Sequence, residues 1–263
     1  MISSRQNPTF RDAVRLRNSA ANRRKAGLIL IDGAREIQLA HESGLHLEQI
    51  FAGPDIDVNA LLPGLLPESH ARLVELAAPL LEKLSYGQKS NDLVAIAATP
   101  QLGIERLPQA AVPLQLVLER PEKPGNVGAC FRTAAAAGAT SVILVDPVCE
   151  PFNPNAIRAS RGTIFTVPMA VCDSEQFRRY IEQSPANLHA AVVDGEVSLW
   201  DCDFRDGSIL AFGNESEGLT NELLQIPSTR FQIPMQGAAD SLNLSISSAV
   251  SLYEAQRQRA NHS

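Results

Sequence analysis

Asn126 and Arg132 stand six residues apart where an apolar stretch, Leu116-Val-Leu118, gives way to Glu119-Arg-Pro-Glu-Lys-Pro-Gly-Asn-Val-Gly-Ala-Cys-Phe-Arg132. An amide side chain here suits a helix N-cap, and a guanidinium one and a half turns later is a permanently charged fork on a different face of that helix. A second segment, Phe212-Gly-Asn-Glu-Ser-Glu-Gly-Leu219, sets two acids between two glycines. Glycine lets a ligand approach the backbone closely, and Glu215 is able to accept a hydrogen bond or orient a cation. In the third, Phe231-Gln-Ile-Pro-Met-Gln-Gly237 leads to Ser241-Leu-Asn243. Ser241 is a good N-cap for a final helix, with Asn243 in the first turn facing elsewhere. Gly125-Asn-Val-Gly128 completes neither a dinucleotide G-x-G-x-x-G nor a phosphate-binding Gly-Lys-Ser/Thr loop.

The elements that must position these side chains follow from periodicity. Residues 114–118, 141–145, 164–167, 188–193, 209–212 and 231–233 read as strands, with helices over 127–137, 174–183, 221–224 and 242–257. Alternating β and α segments predict a mostly parallel sheet covered on both faces, with chemistry in the loops that leave the carboxyl ends of its strands. Leu242, Ile246, Val250 and Tyr253 recur at helical spacing and predict the buried face of the last helix, or part of an interface. Before them, a helix over 10–24, a strand over 27–31, a helix over 34–42 and strands over 47–52, 71–76 and 92–97 outline a smaller α/β domain. Residues 99–113 carry three prolines and a glycine without period and mark the boundary. The expected organisation is residues 1–98, a linker over 99–113, and residues 114–263.

Net charge is −6, but it is unevenly spread. Residues 1–26 contain Arg5, Arg11, Arg15, Arg17, Arg23, Arg24 and Lys25 against the single acid Asp12, leaving 16 basic and 28 acidic residues for the rest. A positive arm on an acidic body suits phosphate-backbone binding, and equally suits the solvated face of an amphipathic helix. No apolar run reaches the roughly 20 residues that span a bilayer. Residues 1–18 lack the apolar core of a secretory signal, although their Arg- and Ser-rich composition overlaps with that of transit peptides. Cys130, Cys149, Cys172 and Cys202 form no CxxC pair, and the five histidines show no metal-ligand spacing, so a soluble, metal-free protein with reduced thiols is expected.

Taken in order, N-x-G-x-x-x-R, G-N-E-x-x-G-L and I-P-M-x-G-x-x-x-S-L-N-x-S resemble the three motifs of the SpoU/TrmH family of RNA ribose 2′-O-methyltransferases, within the SPOUT superfamily. The likeness covers about residues 114–260. Residues 1–98 resemble, through Ser4-Arg-Gln-Asn7 and Leu30-Ile-Asp-Gly-Ala-Arg35, the L30e-like substrate-binding domain of many members. The resemblance implies an α/β fold: a C-terminal SPOUT domain with a mostly parallel sheet and a trefoil knot, plus the smaller L30e-like domain. It implies S-adenosylmethionine as cofactor, held by Phe212, Gly213, Gly218, Ile233, Met235 and Leu242. Arg132, Asn126, Glu215, Ser241 and Asn243 are the implied catalytic set, and residues 5–25 would hold RNA. A cytoplasmic homodimer acting on large-subunit ribosomal RNA is expected. Transfer RNA as substrate, a resistance enzyme acting on ribosomal RNA, an RNA-binding protein without catalysis, and a dehydrogenase on a similar sheet are the other readings.

Overall fold

The computed structural model describes residues 1–86 and 92–261, which pack as two compact units. The first unit comprises Met1–Gln101 together with Phe152–Thr166. Its four strands, β1 (Leu28–Asp32), β2 (Leu47–Ala52), β3 (Arg72–Glu75) and β4 (Leu93–Ala98), lie in the order β1-β4-β2-β3. Pairing is antiparallel except between β2 and β3. Phe10, Ala13, Leu16, Leu30, Phe51, Leu80 and Leu84 are buried together and join the first helix to the sheet. The helix expected over 10–24 is two helices, Pro8–Asn18 and Ala20–Ala26. Ser19 adopts an extended backbone between them and its hydroxyl accepts from the Asn22 amide, so an N-cap starts a new helix where periodicity alone continues the old one.

Residues 152–166, which lie beyond the 99–113 boundary in sequence, pack in this first unit. The strand expected over 164–167 is instead a 3-10 turn, Thr163–Phe165, preceded by the helix Pro154–Ser160. Left-handed Arg161 and Gly162 break the extended path, and Phe165 stacks on Phe152 with ring centroids 5.7 Å apart. Branched residues favour strands only weakly, and tertiary packing overrides that preference here.

The second unit, Leu102–Pro151 with residues from Val167 onward, holds seven strands. They are β5 (Leu114–Glu119), β6 (Ser141–Val145), β7 (Met169–Cys172), β8 (Asn187–Ala191), β9 (Val197–Ser198), β10 (Ser208–Phe212) and β11 (Thr229–Gln232). The order is β7-β6-β5-β10-β8-β11-β9 and every pairing is parallel. β5, β6 and β10 are buried along their whole length, as strands covered on both faces must be. The chain leaves β5 toward β6 on one side and leaves β10 toward β11 on the other. Neighbouring strands whose crossovers diverge open a crevice at their carboxyl ends, so this topology assigns the crevice to β5 and β10.

The helix Pro124–Ala136 follows β5, and the C-terminal helix Leu244–Ala260 packs beside it, with Cys130 Sγ 3.7 Å from Ser248 Oγ. The face of the C-terminal helix differs from the expected one. Leu244, Ser248, Ser251, Leu252 and Ala255 are buried, whereas Ile246 and Tyr253 are 50% and 48% exposed and Leu242 and Val250 are half-buried. Leucines and small residues together fill the buried face, and small Ser248 is the one that meets Cys130 of the neighbouring helix.

His189, in the middle of β8, is buried edge-to-face against Phe204, and neither ring nitrogen has a hydrogen-bond partner among the described residues. Burial pushes its pKa down to about 4, with the nearby Asp203 opposing that shift. In the unfolded chain the ring titrates near its ordinary value, about 6.5. Between these values the unfolded chain takes up a proton that the fold refuses. The folded state is therefore favoured fully above pH ~6.5 and loses up to about 3 kcal/mol as pH falls to ~4. His189→Phe should flatten the melting temperature over this range relative to the parent; parallel curves would show that another group governs acid sensitivity.

Candidate active site

Three loops meet at the β5–β10 crevice. Leu118 pairs with Phe212, so Glu119 and Gly213 emerge side by side. Glu119 is fully buried, and its carboxylate accepts from the Thr220 amide (2.8 Å) and the Thr220 hydroxyl (2.6 Å). This ties the end of β5 to the end of the loop after β10. The intervening loop closes on itself through reciprocal backbone bonds between Asn214 and Gly218, 3.0 and 2.9 Å. The Asn214 side chain donates to the Arg120 carbonyl (3.1 Å) and accepts from Ser216 N and Oγ (2.8 and 2.7 Å). Arg120 itself lies in the left-handed region, φ +49°, which is uncommon for a residue with a side chain.

Asn126 does not cap its helix. That helix begins at Pro124, so Asn126 sits inside its first turn with its side chain free to reach across the crevice. Its Nδ2 donates to Glu215 Oε1 at 2.7 Å, and its Oδ1 accepts from Asn243 Nδ2 at 3.3 Å. Asn243, in turn, is the N-cap of the C-terminal helix, accepting from Ser245 N and Oγ at 2.9 and 2.7 Å. The cap expected at Ser241 is thus two residues further on, because an asparagine carbonyl oxygen reaches the second amide of the helix from there; Ser241 is an exposed loop residue. A line of hydrogen bonds, Asn243 to Asn126 to Glu215, joins the three sequence segments across 89 and 117 residues of chain. Glu215 Oε2 is buried with no partner among the described residues. Arg132 is exposed and makes no hydrogen bond or ion pair among them, leaving its guanidinium available to an external anion.

The cofactor candidates divide. Gly213 and Gly218 frame the loop after β10, and Ile233, Met235 and Leu242 lie half-buried beyond β11. Phe212 is a correction: it is buried in the core, edge-to-face with Phe231 at 6.2 Å, and does not wall an open pocket, because β10 is covered on both faces. Cys130 and Cys149 lie near Glu215, but burial pushes their thiols up to about 12 and about 11, so neither is a thiolate nucleophile at neutral pH. No group of three or more His, Cys, Asp or Glu able to hold a metal occurs among the described residues, and none of their helices is long and apolar enough to cross a membrane.

Of the basic arm, Arg23 is also corrected. It is buried, and its Nη1 donates to the carbonyls of Leu16 and Arg17 at the end of the first helix. Arg17 is half-buried over the Tyr86 ring at 4.4 Å and donates to the Leu84 and Ser85 carbonyls. Helix carboxyl ends leave orphan carbonyls that a guanidinium satisfies, so these two arginines serve the fold. Arg5, Arg11, Arg15, Arg24 and Lys25 remain exposed.

Glu119 and Asn214 belong to the site but do not stand out in the sequence. An acid ending the otherwise nearly apolar run Leu114–Glu119 was the available signal for the first; nothing local distinguishes the second from Glu215 beside it.

The model of the SpoU rRNA Methylase family matches residues 113–253, and that of the MRM3-like substrate binding domain matches residues 7–95. The chain is 30% identical over 268 residues to the 23S rRNA (uridine(2479)-2′-O)-methyltransferase of Streptomyces viridochromogenes, covering 98% of this chain and 92% of that one. The crystal structure of the SpoU methyltransferase AviRb from the same organism, in complex with AdoMet, superposes with a TM-score of 0.88 at 28% identity over 97% of this chain and 99% of that one. A crystal structure described as an RNA 2′-O ribose methyltransferase superposes with a TM-score of 0.84 at 34% identity, over 98% and 99% of the two chains.

Proposed function

The chain belongs to the SpoU rRNA methylase family, and from that premise we propose that it transfers a methyl group from S-adenosylmethionine to a ribose 2′-hydroxyl of large-subunit ribosomal RNA. The observation that carries this reading is the Asn243–Asn126–Glu215 line, which joins all three motif segments at the carboxyl ends of β5 and β10. The residues fit the cofactor. Ile233, Met235 and Leu242 offer partly covered apolar surface for an adenosine, and the unpartnered Glu215 Oε2 offers a carboxylate to a cationic methyl donor. Gly213 and Gly218 shape the loop beside them.

When bound, the cofactor supplies an electrophilic methyl carbon on a sulfonium sulfur. The chain's own residues then align the nucleophile. Arg132, always protonated, is not a base. It would grip the RNA phosphate next to the target ribose, and that phosphate would take the 2′-hydroxyl proton; the bound donor would supply the methyl group, its carbon–sulfur bond breaking to leave a neutral thioether. Asn126 and Asn243 hold Glu215 in place, and the exposed Ser241 hydroxyl hydrogen-bonds the incoming nucleotide. Fixing nucleophile and electrophile within reach of one another is the main source of rate available to such a site.

Threading of the segment after β11 into a trefoil knot is part of this reading; the side-by-side packing of the two helices that flank the crevice supports it. So is a homodimer formed through the partly exposed stripe of Leu242, Ile246, Val250 and Tyr253, and a cytoplasmic location alongside its substrate. The first unit, through its exposed basic residues, holds the RNA.

Incubating the protein with methyl-labelled S-adenosylmethionine and protein-free 23S ribosomal RNA should give label resistant to alkaline cleavage at one ribose. RNA retained without label points to a binding protein, and label acquired only by transfer RNA moves the substrate class.

A further inference from the structure

Residues 152–166 fall within the span matched by the methylase family yet pack with the RNA-holding unit, and their two exposed cations are unaccounted for. The backbone that carries them is firmly built. Asn153 caps the helix Pro154–Ser160, accepting from Asn155 N; Ser160 is fully buried, its hydroxyl donating to the Ile157 carbonyl and accepting from Gly162 N. Arg161 and Gly162 are then consecutive left-handed residues. A Cβ on Gly162 would lie 3.1 Å from the Glu36 Cα and 2.8 Å from a Leu39 methyl, so this turn is pressed onto the helix Ala34–Glu42, whose first turn carries Arg35. Arg158, one turn earlier, donates to the Tyr86 carbonyl at 3.3 Å, and the Tyr86 amide donates to Asp32 at the end of β1, three residues from Arg35.

Arg35, Arg158 and Arg161 are therefore brought toward the carboxyl end of β1 by two separate segments, residues 34–42 and 152–166. All three are exposed, and none has a carboxylate within ion-pair distance among the described residues. Arg161 holds a backbone conformation that asparagine or glycine would adopt at less cost, so its arginine is not explained by the turn. An overall acidic chain that assembles three unneutralised guanidinium groups on a rigid support presents a fork suited to phosphate oxygens.

We propose that Arg35, Arg158 and Arg161 form a second phosphate-holding patch for the RNA backbone, separate in sequence from the arginines of residues 5–25. The patch takes phosphodiesters without reading bases. It rests on the reading that the substrate is RNA.

The test compares the parent chain with Arg35→Gln/Arg158→Gln/Arg161→Asn, the asparagine chosen to tolerate the left-handed backbone. Binding of protein-free 23S ribosomal RNA is measured across a salt series, alongside S-adenosylmethionine binding and melting temperature. Each lost phosphate contact lowers the slope of log affinity against log salt by about 0.7–0.9. The triple variant should lose about two in slope and bind at least about tenfold more weakly at low salt, with cofactor binding unchanged. An unaltered slope in a variant that melts like the parent overturns the patch. Should the triple variant melt early, the single variant Arg161→Asn, expected to lose somewhat under one in slope, decides instead. A parent chain that methylates ribosomal RNA while the variant keeps its slope sinks only the patch; a parent that neither binds nor methylates it sinks the functional reading itself.

Discussion

Arg132→Ala should lower kcat for methyl transfer by about 10²–10³, the usual cost of deleting one preorganised charged donor from an active site. Binding of S-adenosylmethionine should stay within about twofold, since a lost ion contact to RNA does not touch the cofactor's apolar walls. The separation follows from placement. Arg132 sits in the third turn of the helix Pro124–Ala136, exposed and without a partner among the described residues, whereas Asn126 in the first turn is bonded to both Glu215 and Asn243. Because no buried group depends on Arg132, the substitution leaves no unsatisfied polar atom behind and the fold should melt unchanged. Arg132→Lys should recover only part of the rate, as an ammonium keeps the charge but not the planar fork. Single-turnover kinetics with saturating RNA measure this; full activity in the alanine variant would remove Arg132 from the mechanism.

Gly213→Ala is the second large effect, and it acts through geometry. A methyl at this position would lie 2.0 Å from the Gly218 carbonyl carbon, 2.1 Å from the Leu219 nitrogen and 2.2 Å from the Gly218 oxygen. All three are backbone atoms of a loop closed by the Asn214–Gly218 bonds and anchored by Glu119 on Thr220, so no side chain is available to swing aside. The loop must open, Glu215 leaves Asn126, and the cofactor site is lost. Overpacking in a well-packed core typically costs about 1–3 kcal/mol, and a backbone clash belongs at or beyond the upper end. Gly125→Ala is the matched control: a methyl there meets nothing within 4 Å, and alanine within a helix is favoured by about 0.5–1 kcal/mol. Calorimetry with S-adenosylmethionine should find no heat for Gly213→Ala and parental affinity for Gly125→Ala. Parental affinity in both would mean that the loop after β10 does not form the cofactor site.

Periodicity and end signals are local quantities, and where they decide an element the reading of the chain was sharp. The helices Ala34–Glu42 and Ser174–Gln183 and the strands Leu47–Ala52 and Ser141–Val145 lie where their patterns place them. Capping was less legible. At residues 18–20, 123–126 and 241–243 several side chains compete for the same orphan amides, and the winner depends on how the adjoining loop is held. Ser19, Lys123 and Asn243 occupy the cap positions, while Asn126 is drawn away to Glu215 and Ser241 is left in solvent. Burial on the C-terminal helix departed from the apolar stripe for a similar reason. Its partner is a helix rich in alanine, against which Ser248 packs beside Cys130, while Ile246 and Tyr253 stay exposed.

The sequence by itself determined the chemical inventory of the site, because Asn126, Arg132, Glu215 and Asn243 are chosen by side-chain type and by spacing along short segments. Tertiary structure decided which of them touch. Glu119 and Gly213 are adjacent only because β5 and β10 are neighbours in the sheet, 94 residues apart along the chain, and no local pattern encodes a strand order. It also decided that Arg23 and Arg17 close two helix ends, since a guanidinium that donates to several orphan carbonyls at once satisfies them and keeps its own N–H groups hydrogen-bonded.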